Sequence, residues 1–376
     1  MHTTKRKTMD VVSTTRFPIV MWKSPHVSTN IHPTRAPVGI VHPRNSFLQT
    51  KNCIGVTQQR YTVVYAGQKN QNVVDQETPP VLSTPGVGGR TFTVVITGGS
   101  KGAGRALASK FLEYGDNVVI CSRDEERVES TVQALREAHT MSSGRIEGIR
   151  GDVACAQDMN DVARFAAEMF GSVDIWVNNA GTNAYTFKPF FEQSDEDIAS
   201  VVNTNVLGVM YGTKAAINVM KHQPKGGHVF NMDGAGADGN ATPRFAAYGA
   251  TKRSLEQLNK SIRAELSIAK ISNVGIHAIS PGMVTTELLM AGADNRFSRL
   301  MINCLAEEPE TMADFLVPRI RQVPDTVEKS FLPSILLGQY IKFLTPVKAY
   351  SQIILRLVAG QRKDRYVIED QDDGDA

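Results

Sequence analysis

Residues 91–104 read TFTVVITGGSKGAG. The first seven are a short β-branched run closed by Gly98 and Gly99, which predicts a buried strand. Leu107, Phe111 and Leu112 then recur at helical spacing, which predicts a helix over 103–114. Strand, glycine turn and helix start in that order make Thr97, Gly98, Ser100, Lys101, Gly102 and Gly104 a candidate phosphate loop. Gly98 and Gly102 permit a turn that a β-carbon would resist, and Gly104 lets the helix close on the strand. The free N–H groups and positive dipole end of that helix then face a pyrophosphate. A plain glycine-rich turn has the same composition; the flanking strand and helix favour the phosphate loop.

Downstream, strands are expected at 117–121, 146–150, 173–177, 228–232 and 274–279, and a last one at 365–369. Helices are expected between them at 124–139, 156–170, 195–220 and 246–268. This alternation predicts an α/β protein with a doubly wound, Rossmann-type parallel sheet, a single domain with a helical C-terminal extension. The expected boundaries are a leader over 1–74, a linker over 75–89, a dinucleotide-binding catalytic domain over 90–285, and a helical, substrate-capping region over 286–376.

The end of the second strand selects the dinucleotide. An NAD site has an acid about 20 residues past the loop to hold the ribose hydroxyls. Here Cys121-Ser122-Arg123 stands there. Arg123 and Lys101 are suited to a 2′-phosphate, which favours NADPH; the alternative is that Arg123 is a solvated surface charge.

Net charge is +3, but residues 1–74 carry +9 and the remainder −6. The acidic body excludes nucleic-acid binding through overall basicity. The leader is rich in Thr, Ser, Lys and Arg, has Asp10 as its one acid, and lacks the apolar core of a secretory signal. It reads as an organellar transit peptide, or else as a disordered basic tail. Composition does not decide between plastid and mitochondrion. Cys53, Cys121, Cys155 and Cys304 are scattered, which argues against a disulfide scaffold and structural zinc. No apolar run is long enough for a transmembrane helix. His277 reads as a strand residue with no second His near it, so no metal is expected.

Tyr248 and Lys252 lie four apart, on one face of the expected helix. A phenol, with pKa ~10, becomes a usable acid–base group when an ammonium beside it lowers that value. The alternative is a helix-face tyrosine with no role. In order, TGGSKGAG at 97–104, Asp152-Val153, NNAG at 178–181, Asn205, YGATK at 248–252 and Pro281-Gly282 resemble the short-chain dehydrogenase/reductase family over about residues 90–290. The resemblance implies that Tyr248 gives a proton to a substrate carbonyl while the nicotinamide gives a hydride, and that Lys252 activates Tyr248 and holds the nicotinamide ribose. It implies that Asn205 holds a relay water, that Asp152 and Val153 border the adenine, and that Asn179, Ala180 and Gly181 border the adenosine ribose. Pro281, Gly282, Val284 and Thr286 would line the nicotinamide side, the last two touching carboxamide and phosphates. The family's usual serine is expected at position 235, which is alanine. The backbone amides of residues 234–236, or the Thr242 hydroxyl, are the candidate replacements.

NMDGAGADG at 231–239, TPRFAAYGATKRS at 242–254, and FLVPRIRQVP and RKDRYVIED further on narrow the resemblance to the chlorophyll b reductase branch, and to its soluble, non-yellow-coloring-like side. That implies reduction of the formyl group of chlorophyll b, free or in a light-harvesting complex, to 7-hydroxymethyl chlorophyll a. It also implies a chloroplast location on the stromal side of the thylakoid, and a homo-oligomer or a complex with a membrane-anchored paralogue. The alternatives are reduction of another large apolar carbonyl (steroid, quinone or fatty acyl) or an inactive dinucleotide-binding partner. The apolar stretch 330–344, with Lys329, Lys342 and Lys348 near it, reads as a helix packed on the core or another subunit, a substrate lid, or a peripheral membrane contact.

Overall fold

The computed structural model describes residues 90–329 and 338–369. The expected leader (1–74) and linker (75–89), and residues 330–337 of the apolar stretch, lie outside them. Six strands arrive in the expected order: β1 (Thr93–Thr97), β2 (Asn117–Ser122), β3 (Ile146–Arg150), β4 (Ile175–Asn178), β5 (Gly227–Met232) and β6 (Val274–Ser280). Between them run α1 (Gly102–Glu113), α2 (Glu125–Ala138), α3 (Ala156–Phe170), α4 (Asp195–Val202), α5 (Gly208–Met220) and α6 (Ala246–Ile268). Beyond β6 follow α7 (Glu287–Met290), α8 (Arg296–Leu305), α9 (Pro309–Lys329), the short strand β7 (Tyr340–Lys342) and α10 (Pro346–Ala359). Among the described residues the sheet has seven strands, all parallel, in the order β3-β2-β1-β4-β5-β6-β7.

The central strands are buried on both faces, so they read as continuous apolar runs. On one face Val94, Ile96 and Phe230 pack with Leu107 and Phe111 of α1 and with Met312, Leu316 and Ile320 of α9. On the other, Val95, Trp176 and Val229 pack with Met159 and Val162 of α3 and Ala216 of α5. The order reverses between β1 and β4, which opens a crevice at the carboxyl ends of those strands.

The seventh strand is not the one expected. Residues 365–369 form no strand, although part of their backbone is hydrogen-bonded to side chains. The Asn303 side chain of α8 accepts from the amides of Tyr366 (2.8 Å) and Val367 (3.1 Å) and donates to the Val367 carbonyl (2.7 Å), taking the place of a strand neighbour. Arg362 and Arg365 meanwhile pair with the buried Glu307. The sheet edge goes instead to β7, where Ala278, Ile279 and Ser280 pair with Tyr340, Ile341 and Lys342.

His277 does have a second histidine near it. His228 and His277 face each other across β5 and β6, ring nitrogens 3.0 Å apart. The Gln339 amide donates to His277 Nδ1 at 3.1 Å, so the proton on Nε2 points at His228. The pair ties β5 and β6 to the segment entering β7. Burial, reinforced by Arg90, pulls His228 down to about 4. Burial, with His228 and Arg263, pulls His277 below its ordinary range. A histidine depressed in this way resists a proton that the unfolded chain accepts. Its contribution is whole above pH ~6.5 and is lost as pH falls toward the folded value. Urea denaturation should therefore give about 2 kcal/mol less stability at pH 5.5 than at pH 7, about 1 from each histidine; a flat midpoint would show that the pair takes up protons in the fold as readily as in the unfolded chain.

Candidate active site

The glycine loop crosses from β1 into α1 under Asn179. Asn179 Nδ2 donates to the carbonyls of Thr97 (2.8 Å) and Gly98 (3.1 Å), and the Thr97 hydroxyl accepts from the amides of Asn179 and Ala180 at 3.1 Å each. Gly98 sits at φ +64° and Gly102 at φ +51°. A Cβ on Gly104 would come within 2.3 Å of the Gly98 carbonyl oxygen, so helix and loop touch backbone to backbone. Unlike α2 and α4, capped by Asp124 and Ser194, α1 begins with no side-chain cap on its first N–H groups. Uncapped donors at a positive dipole end suit a phosphate.

At the end of β2, Ser122 accepts from Ser100 (3.0 Å) and Arg123 is exposed, with no ion pair among the described residues. The nearest acid, Asp124, accepts from the Arg127 amide at 3.0 Å, so its carboxylate caps α2. Lys101 departs from the expectation. It is paired with the exposed Glu287 and lies 3.3 Å from the Tyr185 hydroxyl. The Glu287 hydrogen bond, ahead of the Tyr185 contacts, holds its pKa above the ordinary lysine value despite partial burial. Asp152 turns back on its own loop, accepting from the Ala154 amide, and Val153 packs against Gly208. Val284 and Thr286 sit on the loop after Gly282 (φ +70°), which is tied to Glu307 by backbone hydrogen bonds, and a Cβ on Gly102 would lie 3.1 Å from Thr286.

Asn205 lies in a π-helical turn, Asn203–Leu207, that joins α4 to α5 within the single long helix expected over 195–220. Its Oδ1 accepts from the Thr182 amide at 2.9 Å; its Nδ2 donates to the Thr182 carbonyl at 2.8 Å and to Thr251 Oγ1 at 3.1 Å. The amide is thus spent on protein partners, and its work is to lock the loop after NNAG against α6. A Cβ on Gly181 would meet Asn205 Oδ1 at 3.4 Å and Lys252 Nζ at 3.6 Å, so Gly181, Asn205 and Lys252 converge.

Lys252 is buried and donates to the Met232 carbonyl at 3.0 Å, with its ammonium 5.6 Å from the Tyr248 ring centre. Burial, partly offset by Asp233, brings it down to about 8. Tyr248 moves opposite to expectation: burial, reinforced by Asp233, pushes its phenol above the usual range. The residue that meets its hydroxyl is also not the expected one. A Cβ on Gly234 would lie 2.3 Å from Tyr248 Oη, whereas Ala235 is exposed. Thr242 donates to the Phe245 carbonyl at 3.3 Å and packs on Gly249, so its hydroxyl belongs to the turn that starts α6. The amides of residues 234–236 make no hydrogen bond among the described residues, and Gly234 is the one of the three that adjoins the tyrosine oxygen.

Three supporting features have little sequence signal. A buried amide chain runs from Trp176 through Asn178 and Asn231 to Asn259, with links of 2.7–2.8 Å. Thr251 joins Asn205 to the Tyr248 carbonyl. Asp233 accepts from Tyr340 of β7 at 2.5 Å. A run of Asn and Thr reads as loop chemistry until the helices are in place.

A family model described as short chain dehydrogenase matches residues 92–296. The chain is 50% identical over 279 residues to chlorophyll(ide) b reductase NOL, chloroplastic, of Oryza sativa subsp. japonica, covering 74% of this chain and 79% of that one. It is 46% identical over 315 residues to the protein of the same name from Arabidopsis thaliana, covering 84% and 86%. Among solved structures, an alcohol dehydrogenase from the archaeon Thermococcus sibiricus, complexed with 5-hydroxy-NADP, superposes with TM-score 0.54 at 22% identity, over 68% of this chain and 96% of that one; it shares the fold.

The Gly234 geometry generates a test. Gly234→Ser should displace the Tyr248 hydroxyl and lower turnover by ~10²-fold, the usual cost of a misplacement of about 1 Å. Ala235→Ser should leave turnover within about 2-fold, since an exposed side chain has nothing to displace. Equal activity of the two variants in steady-state kinetics would put the site elsewhere.

Proposed function

The chain belongs to the short-chain dehydrogenase family of nicotinamide-dependent oxidoreductases, and we propose that it uses NADPH to reduce the formyl group of chlorophyll b to the hydroxymethyl group. The observation that carries the substrate is the 46–50% identity to two chlorophyll(ide) b reductases over most of both chains. The chemistry rests on Tyr248 and Lys252 converging with Gly181 and Asn205.

When bound, the nicotinamide supplies the hydride. The uncapped start of α1, with Thr97, Gly98, Ser100, Gly102 and Gly104, receives the pyrophosphate. Asp152 and Val153 border the adenine, and Asn179, Ala180 and Gly181 border its ribose. Pro281, Gly282, Val284 and Thr286 close the nicotinamide side. Ser122 leaves room for a 2′-phosphate and Arg123 supplies the charge; Lys101 joins it once Glu287 is displaced.

Tyr248 Oη donates its proton to the oxygen that gains charge as the carbonyl is reduced. Its raised pKa keeps it a phenol at neutral pH, the form a proton donor needs. Lys252, still mostly ammonium below about 8, stabilises the phenolate left behind and would hold the nicotinamide ribose. The free amides at 234–236 take the place of the serine by donating to the developing oxyanion. Asn205 positions the loop at Gly181 and Thr182.

The reading places the protein in the chloroplast, peripheral to the thylakoid membrane on its stromal side. Among the described residues no helix is long and apolar enough to cross a membrane. The exposed Val347, Tyr350, Ile354 and Leu357 of α10 support a contact there with the membrane surface or another subunit.

Incubation of the full chain with NADPH and chlorophyll b should convert the pigment to its 7-hydroxymethyl form, followed by absorbance. Failure under conditions where NADPH binds would remove the substrate. Tyr248→Phe should cost ~10² to 10⁴ in turnover with NADPH affinity retained; residual activity above about a tenth would contradict its role. Arg123→Asp should turn the preference toward NADH, and equal use of both cofactors by the unmodified protein would overturn the 2′-phosphate assignment.

A further inference from the structure

Three consecutive residues at the end of β5 address the Tyr248–Lys252 pair. The Met232 carbonyl accepts from Lys252 at 3.0 Å, and Gly234 meets the Tyr248 hydroxyl. Between them Asp233 is 8% exposed. Its amide donates to the Ile279 carbonyl at 2.9 Å, which extends the β5–β6 ladder by one residue and fixes the backbone. Oδ2 accepts from Tyr340 Oη at 2.5 Å; Oδ1 makes no hydrogen bond among the described residues. The charged and titratable groups around it are Lys252 and Tyr248 on α6 and Tyr340 and Lys342 on β7, with the Ser280 hydroxyl on β6.

A buried carboxyl with one oxygen unbonded is costly. Its chain neighbours, Met232 and Gly234, carry no charge to offset it. Lys252 and Lys342 are the cations that offset it. We propose that Asp233, held by Tyr340 and set between the Met232 carbonyl that binds Lys252 and the Gly234 that meets Tyr248, is a positioning residue of the active site, through which β7 belongs to the catalytic apparatus. The inference rests on the reading of Tyr248 and Lys252 as acid and partner.

The directions agree. Burial works to strip the proton from Lys252, and Asp233 opposes it. Burial works to keep the proton on Tyr248, and Asp233 adds to it. Asp233 itself is raised by burial, while Tyr340, Ser280, Lys252 and Lys342 pull it back toward the charged form. A donor tyrosine has to regain its proton after each turnover, so an anion beside it carries carbonyl reduction to higher pH. Removing the anion lets Lys252 discharge earlier and pulls the alkaline limit down.

The test is the pH dependence, from 6 to 10, of NADPH affinity by fluorescence and of chlorophyll b turnover, in the full-length wild type, Asp233→Asn and Tyr340→Phe, with thermal melts as the check on folding. The Glu287 hydrogen bond holds the Lys101 pKa above its ordinary value, at or beyond the top of this range. Asp233→Asn should lower the alkaline inflection of both by roughly one pH unit, the scale of one nearby charge, and Tyr340→Phe should lower it by less. An inflection within about 0.2 unit of wild type in folded Asp233→Asn would overturn the proposal. Should Asp233→Asn fail to fold, an unmoved inflection in Tyr340→Phe overturns it instead. A wild type that binds NADPH with an alkaline inflection but leaves chlorophyll b unchanged removes the substrate reading and leaves this inference decided by binding alone; no inflection in wild-type binding removes the inference.

Discussion

The hydrogen bond from Lys252 to the Met232 carbonyl, at 3.0 Å, joins the end of β5 to the second turn of α6. A buried ammonium needs a fixed acceptor, and an unpaired main-chain carbonyl at a strand end is one of the few the interior offers. Once that bond is made, the helix phase is set. Tyr248, one turn earlier, points its hydroxyl at the residue two past Met232, which must be glycine because a Cβ would lie 2.3 Å from the oxygen. Asp233 in between is left beside both groups. The ends of the other central strands contribute in the same way: NNAG at β4 brings Gly181 to Lys252, and the β1 turn opens the phosphate loop.

This constraint explains how the site does without the family's serine. A serine at 234 would occupy space the tyrosine oxygen already fills. Ala235 stands at the position the family spacing gives for the serine, but its side chain is exposed. Only the fold shows which residue ends beside the tyrosine. In the proposed mechanism the backbone amides of this turn are the donors in place of the serine hydroxyl. These are pre-oriented by the turn and reorganise little as charge develops.

The alternating strands and helices were legible because buried parallel strands are short β-branched runs and each helix between them carries an apolar stripe. The placement of Tyr248 and Lys252 on one helix, and of the glycine turn between β1 and α1, was legible because spacing and residue type report such placements directly. What escaped depends on distance in space. Asp233 and Tyr340 are 107 positions apart, and His228 and His277 are 49 apart. Tyr340-Ile341-Lys342 is too short for a periodic signal, whereas 365–369 has a good one; the tertiary partner decided, with Asn303 taking the place of a strand neighbour for the latter. The direction of the Tyr248 shift was missed for the same reason, since it is set by burial and by Asp233, a carboxylate that the fold brings to it from the end of β5.

The described residues of α9 and β7, beyond β6, are therefore part of one structure with the parallel sheet. α9 supplies Met312, Leu316 and Ile320 to the core against α1, and β7 extends the sheet and delivers Tyr340 to Asp233. The central claim is that the cleft where these strand ends meet reduces a formyl carbon with a hydride from NADPH and a proton from Tyr248. Its most direct test is reaction of chlorophyll b with NADPH carrying deuterium on the transferred position, in ordinary water, with the pigment read by mass spectrometry. The account predicts one deuterium in the product's new hydroxymethyl carbon. A product that forms with no deuterium at that carbon would contradict it.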